Sequence, residues 1–93
     1  MTVALLTIQL YAPWIHSLKE KRMEVKSLLA KLKNKFNVSA VEADEQDIHQ
    51  TIVLAVASLA ANPAQADSII DHVIRFVEEN TEAEIVHIDR EFR

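Results

Sequence analysis

His49-Gln50-Thr51-Ile52-Val53-Leu54-Ala55-Val56-Ala57-Ser58-Leu59, followed three residues later by Asn62-Pro63, decides the fold. Ile52, Leu54 and Val56 alternate with Val53, Ala55 and Ala57, so the stretch is apolar on both faces. Such a strand belongs at the centre of a sheet. Asn62-Pro63 places a capping side chain before a proline at the first helical position, where a backbone N–H has no helical partner to lose. A helix is therefore predicted from there to about Asn80, with Ala66, Ile69, Ile70, Val73 and Val77 turned inward.

Outward from this unit the pattern repeats. Glu84 to Phe92 reads as a last strand, at an edge. Val38 to Asp44 reads as the strand before the central one, joined to it by the polar loop Glu45-Gln46-Asp47. Ser17 opens an earlier helix, and with Glu20 it has the Ser-x-x-Glu spacing of a capping box. Leu18, Val25, Leu28, Leu29, Leu32 and Phe36 supply the apolar stripe of that helix, and Asn37 is expected to end it in the left-handed conformation. Thr2 to Leu10 reads as the first strand, with Val3, Leu5 and Thr7 on one face and Ala4, Leu6, Ile8 and Leu10 on the other. Pro13 ends it, making residues 11–16 a connector.

The order is thus β-α-β-β-α-β. Right-handed crossovers put both helices on one face of a four-stranded antiparallel sheet of order 4-1-3-2, an α+β, ferredoxin-like fold. Residues 1–93 are expected to form this single domain. The two helices are expected to run the same way, with their C-terminal ends side by side.

Composition excludes more chemistry than it proposes. There is no cysteine, so disulfides, thiolate catalysis and cysteine metal sites are out. There is no glycine, which removes the Gly-rich phosphate loops and the Gly-x-Ser-x-Gly nucleophile turn. The N-terminus lacks the pattern of a signal peptide, and Ile52 to Ala61 is far too short an apolar run to span a bilayer. A soluble, cytoplasmic protein is the expectation.

Charge is unevenly spread. The net value is −4, yet Ser17 to Phe36 holds seven of the ten Lys and Arg residues against only Glu20 and Glu24. The local field there is positive within an acidic chain, and phosphate binding responds to the local field. Lys19, Arg22, Lys26 and Lys33 fall along one flank of the apolar stripe. Lys19, Lys21, Arg22 and Lys26 are the candidate nucleic-acid ligands, because no acidic neighbours are predicted beside them. Of these, Lys19, Arg22 and Lys26 are expected to carry the binding, with Lys21 and Trp14 as nearby helpers. Lys31, Lys33 and Lys35 are expected to be neutralised by Glu78 and Glu79 across the paired helix ends, each exposed pair being worth about 0–1 kcal/mol.

Ser17-Leu18-Lys19-Glu20-Lys21-Arg22, with Val25, Lys26 and Leu29, then Phe36-Asn37-Val38-Ser39, Glu42 and Asp47, resembles the YlxP-like family of small bacterial proteins of unknown function. The resemblance runs from about residue 3 to residue 90. It implies a ferredoxin-like fold and, since the family's genes often lie among translation and ribosome-maturation factors, a connection to RNA or the ribosome. The family's frequent Trp-Gln-Arg-Ala in the third strand is His49-Gln50-Thr51-Ile52 here, which takes an aromatic and a cation off the sheet.

Ribonucleoprotein sheets stack bases on aromatics of their central strands. Thr2–Leu10 and Gln50–Leu59 carry none, so base stacking on the sheet is not expected. The face away from the helices should present Val3, Leu5 and one apolar row of the third strand; Ile52, Leu54 and Val56 are taken as that row. A patch of this size points to a homodimer interface. The histidines (His16, His49, His72, His87) show no metal-ligand spacing, and His87-x-Asp89 has the spacing of a base and its orienter. Glu42, Asp44, Glu45 and Asp47 read as a solvated acidic hairpin rather than a calcium loop. No catalytic residue, metal or cofactor is expected. The expected function is that of a non-enzymatic binding module, meeting RNA or a ribosomal subunit through the first helix; the alternative is a homodimeric protein-interaction domain using the open sheet face.

Overall fold

The computed structural model describes residues 1–43 and 48–93. Six elements follow one another: β1 (Thr2–Tyr11), α1 (Leu18–Lys35), β2 (Ser39–Glu42), β3 (Thr51–Ala60), α2 (Pro63–Asn80) and β4 (Glu84–Phe92). The strands form one antiparallel sheet in the order β2-β3-β1-β4, which is the expected 4-1-3-2 counted from the opposite margin. The fold is ferredoxin-like. The expected acidic residues Asp44, Glu45 and Asp47, and the loop they share with Gln46, lie outside the described residues.

Both helices begin as their sequences dictate. Ser17 is the N-cap of α1 in extended backbone, and its Oγ accepts the Glu20 N–H at 3.1 Å. Asn62 caps α2 in the same way, accepting the Gln65 N–H at 2.8 Å, with Pro63 in the first turn. The Gln65 side chain reaches back to the Ala61 N–H at 2.6 Å. The exit of α1 differs from expectation. The chain leaves the helix at Phe36, whose backbone is extended and whose N–H still donates to the Leu32 carbonyl at 2.9 Å. The turn out of the helix is thus made one residue before Asn37.

The core is the layer between the sheet and the two helices. Leu6, Ile8 and Leu10 of β1 meet Ile52, Leu54 and Val56 of β3, roofed by Val25, Leu28 and Leu32 of α1 and Ile70, Val73 and Val77 of α2. Their cross-strand pairing is direct: Leu6 faces Val56, Ile8 faces Leu54 and Leu10 faces Ile52. This corrects the expected interface row. Ile52, Leu54 and Val56 are core residues, 0–4% exposed. The open face instead carries Val3 opposite Leu59, Leu5 opposite Ala57, Thr7 opposite Ala55 and Gln9 opposite Val53. Both rows of β3 are apolar, but the bulkier one fills the space under the helices while the alanine row stays outside. β1 also runs one residue further than expected, so that Tyr11 pairs with Thr51 on the open face.

The helix directions are a second correction. β1 and β3 are antiparallel, so the helices that follow them run in opposite directions. The contacts agree: Thr81, just past the end of α2, donates to Glu24 in the first half of α1 at 3.1 Å. Phe36 at the end of α1 meets Phe76, five residues before Thr81, edge-on, with ring centroids 5.5 Å apart. The C-terminal ends of the helices therefore do not lie side by side.

Candidate nucleic-acid interface on the first helix

Every third or fourth residue of α1 points at the sheet, and the inward series is Lys21, Val25, Leu28 and Leu32. Lys21 thus occupies a core-facing position one turn before the first buried aliphatic residue. It is 1% exposed. A buried ammonium is tolerable only with partners, and Lys21 has them. Its Nζ lies 3.0 Å from Glu42 Oε2 and donates to the Ile48 carbonyl at 2.7 Å. Glu42 pairs with Leu54 across the sheet, which aims it into the helix-covered side. The pair ties α1 to β2 and to the chain entering β3. Lys21 is therefore removed from the expected phosphate ligands.

The other three candidates stand outside. Lys19, Arg22 and Lys26 are all exposed. Arg22, Lys26 and Lys33 line one open groove of about 360 Å³ beside β2, with Val25, Leu29 and Ala30 as its apolar floor and Glu42 at its side. At 1.5 Å of rise per residue, Arg22 and Lys26 are separated along the axis by about 6 Å, and Lys26 and Lys33 by about 10 Å. A capped helix holds these cations on a rigid scaffold. Among the described residues lining this groove, Glu42 alone carries a negative charge, and its partner Lys21 offsets it.

The opposite flank of α1 has another character. Glu24, Ser27, Leu28 and Lys31 line a second groove with Trp14, Glu79, Thr81 and Glu82. Of the expected neutralising contacts, Lys31 and Glu79 do face the same groove. Lys33 lies on the other flank with Arg22 and Lys26, so it belongs to the candidate interface rather than to its control. Trp14 is half-exposed and separated from the cations by the body of the helix, so it is not placed to help them.

Other singled-out residues fall elsewhere. His16 and His49 line a common open groove with Ile15, Ile48 and Gln50. Among the described residues there is no group of three or more His, Asp or Glu side chains arranged to hold a metal ion, and no helix long and apolar enough to cross a membrane. His72 Nδ1 is 2.8 Å from the Ser68 carbonyl, one turn back on α2. Arg90 of β4 forks onto Asp67 and Asp71 of α2, each at 2.7 Å. Hydrogen bonding to Asp71, then to Asp67, raises the Arg90 pKa above its ordinary value against the opposing effect of burial.

Comparison with known proteins adds three findings. Residues 3–90 match the family model described as "Protein of unknown function (DUF503)". The chain is 35% identical over 68 residues to the uncharacterized protein YlxP of Bacillus subtilis (strain 168), spanning 73% of this chain and 74% of that one. Among solved structures, the de novo designed protein Ferredog-Diesel is similar at 14% identity and a TM-score of 0.44, covering 94% of this chain and 83% of that one.

Proposed function

Since the chain belongs to the DUF503 family of YlxP-like proteins, whose function is unknown, its own surface must supply the reading, and we propose a cytoplasmic, non-enzymatic module that binds RNA phosphates through α1, in the setting of the ribosome. The observation that carries this reading is the shared groove of Arg22, Lys26 and Lys33, three exposed cations on one flank of a capped helix. Lys19 extends the same flank by one turn. Phosphate neutralisation by such a row releases counterions, so affinity falls steeply with salt and depends little on base sequence. The test is fluorescence anisotropy with a labelled single-stranded RNA, and co-sedimentation with ribosomal subunits, each at two salt concentrations. Retention at low salt that weakens at high salt supports the reading; absence of binding at low salt ends it.

A second reading has its own observation. On the open sheet face Leu59 is 64% and Val41 57% exposed, beside Val3, Leu5, Ala55 and Ala57. Surfaces of this kind are commonly contact sites, and we infer a protein-interaction face whose occupant is a second copy. Leu59→Glu should then remove the self-association made through this face, seen as a lower mass in light scattering, without changing RNA affinity.

A further inference from the structure

We propose that β4 pairs with β4 of a second copy across a two-fold axis at Ile88, extending the two sheets into one. The proposal is independent of RNA binding and uses a different surface from the open face.

β4 lies at the margin of the sheet, and among the described residues no strand pairs with its outer edge. Its hydrogen-bonding direction is fixed by the end of the chain. Val3 and Arg93 exchange both backbone bonds, Val3 N–H to Arg93 O at 2.6 Å and Arg93 N–H to Val3 O at 2.9 Å. In an antiparallel ladder bonded pairs alternate with non-bonded ones. Glu91, Asp89 and His87 therefore turn their N–H and C=O groups toward β1, while Phe92, Arg90 and Ile88 direct theirs outward. Ile88 and Phe92 are also 38% and 43% exposed. An edge with unpaired backbone groups and exposed apolar side chains is a template for another strand.

Charge favours the register centred on Ile88 over those shifted toward the C-terminus. With the axis at Ile88, the midpoint of Glu84–Phe92, His87, Ile88 and Asp89 meet their copies in regular backbone, while Arg90 to Phe92 oppose Glu84 to Val86, where β4 shifts register against β1. Ile88 faces Ile88 as a hydrogen-bonded pair, which requires its outward N–H and C=O. His87 then faces Asp89 of the second copy twice, at non-bonded positions where side chains approach most closely. Moving the axis to Asp89 sets the two Asp89 carboxylates face to face. Moving it to Arg90 opposes the two guanidinium groups and sets Asp89 against Glu91. The bulge at the Gln9/Leu10 register shift leaves the residues from His87 to Phe92 regularly paired with β1. His87 and Asp89 lie opposite Gln9 and Thr7, so their side chains project on the open-face side and not under α2.

A nine-residue strand pair is a small interface, so a weak dimer is expected and the test traps it covalently. The chain has no cysteine. His87→Cys and Asp89→Cys variants are prepared separately with distinguishable tags, confirmed folded by circular dichroism, mixed and mildly oxidised. Non-bonded partners lie about 4.5 Å apart at Cα, within disulfide range. The mixture should yield the mixed disulfide in several-fold excess over a statistical distribution, with neither variant cross-linking efficiently alone. In light scattering, His87→Asp should weaken the dimer about tenfold, and the swapped pair His87→Asp with Asp89→His should restore it. Leu59→Glu should leave cross-linking intact. A statistical mixture of disulfides overturns the proposal, and so does loss of cross-linking by Leu59→Glu, which would place the contact on the open face.

Discussion

Lys21 Nζ lies 3.0 Å from Glu42 Oε2, with the lysine 1% and the glutamate 17% exposed. The most buried cation of a basic helix is thus a structural residue. Removing one member of a buried pair strands the other, whereas replacing both with apolar groups can be neutral. Glu42→Ala should therefore destabilise the fold by about 3 kcal/mol, and Lys21→Met with Glu42→Leu should recover most of that loss. Urea denaturation of the single and double variants checks this. RNA affinity of the double variant should equal that of the parent, since Lys21 is not exposed to phosphate. A fall in affinity would return Lys21 to the interface.

The helix starts are the next test. Ser17 Oγ holds the Glu20 N–H and Asn62 Oδ1 holds the Gln65 N–H. Ser17→Ala should cost about 0.5–2 kcal/mol, with a similar loss for Asn62→Ala. The two caps sit on different helices, so their effects should add within about 0.5 kcal/mol. A Ser17→Ala protein of unchanged stability that no longer binds RNA would make the start of α1 a ligand site instead of a cap.

Most of the fold was legible because its signals are local: two capped helices, and strands bounded by Pro13, Asn37 and Asn62. What escaped was relational. Hydropathy does not separate Ile52, Leu54 and Val56 from Val53, Ala55 and Ala57, but volume does, since the larger set fills the layer under the helices. The direction of α2 followed from the antiparallel pairing of β1 and β3 and could have been deduced. Lys21 carried a positional signal, standing one turn before Val25 on the inward stripe. Its charge drew it into the ligand set, and Glu42, its partner across the layer, could not be placed opposite it without the register of β2 on β3. The flank of Arg22, Lys26 and Lys33 was legible from helical spacing alone.

Arg90 clamps the edge strand to α2 through Asp67 and Asp71. Both carboxylates are 53% and the guanidinium 35% exposed, so each pair is worth at most about 1 kcal/mol and is weakened by salt. Arg90→Ala should lower stability by about 1–2 kcal/mol at low ionic strength, and by clearly less in 1 M salt. Arg90→Lys should recover only part of the loss, because an ammonium cannot fork onto two carboxylates as a guanidinium does. Thermal denaturation at the two salt concentrations checks both. An effect of equal size at both would assign the loss to packing of the arginine stem.

The cation flank gives the sharpest division between structure and function. Replacing Arg22, Lys26 and Lys33 together with Gln keeps the helix, since Gln is nearly as good a helix former as Lys or Arg. If these three side chains meet phosphates, the change should weaken every single-stranded RNA about equally. It should also reduce the slope of log affinity against log salt by about two, from three contacts at about 0.7 each. The matched control is Lys31→Gln with Lys35→Gln. Lys31 lines the opposite groove beside Glu79, so this pair should change the slope little although it removes nearly as much charge. A larger loss from the control than from the triple variant would move the interface to the other flank. Equal losses per charge removed would mean that RNA responds to the field of the whole helix and not to a row of contacts.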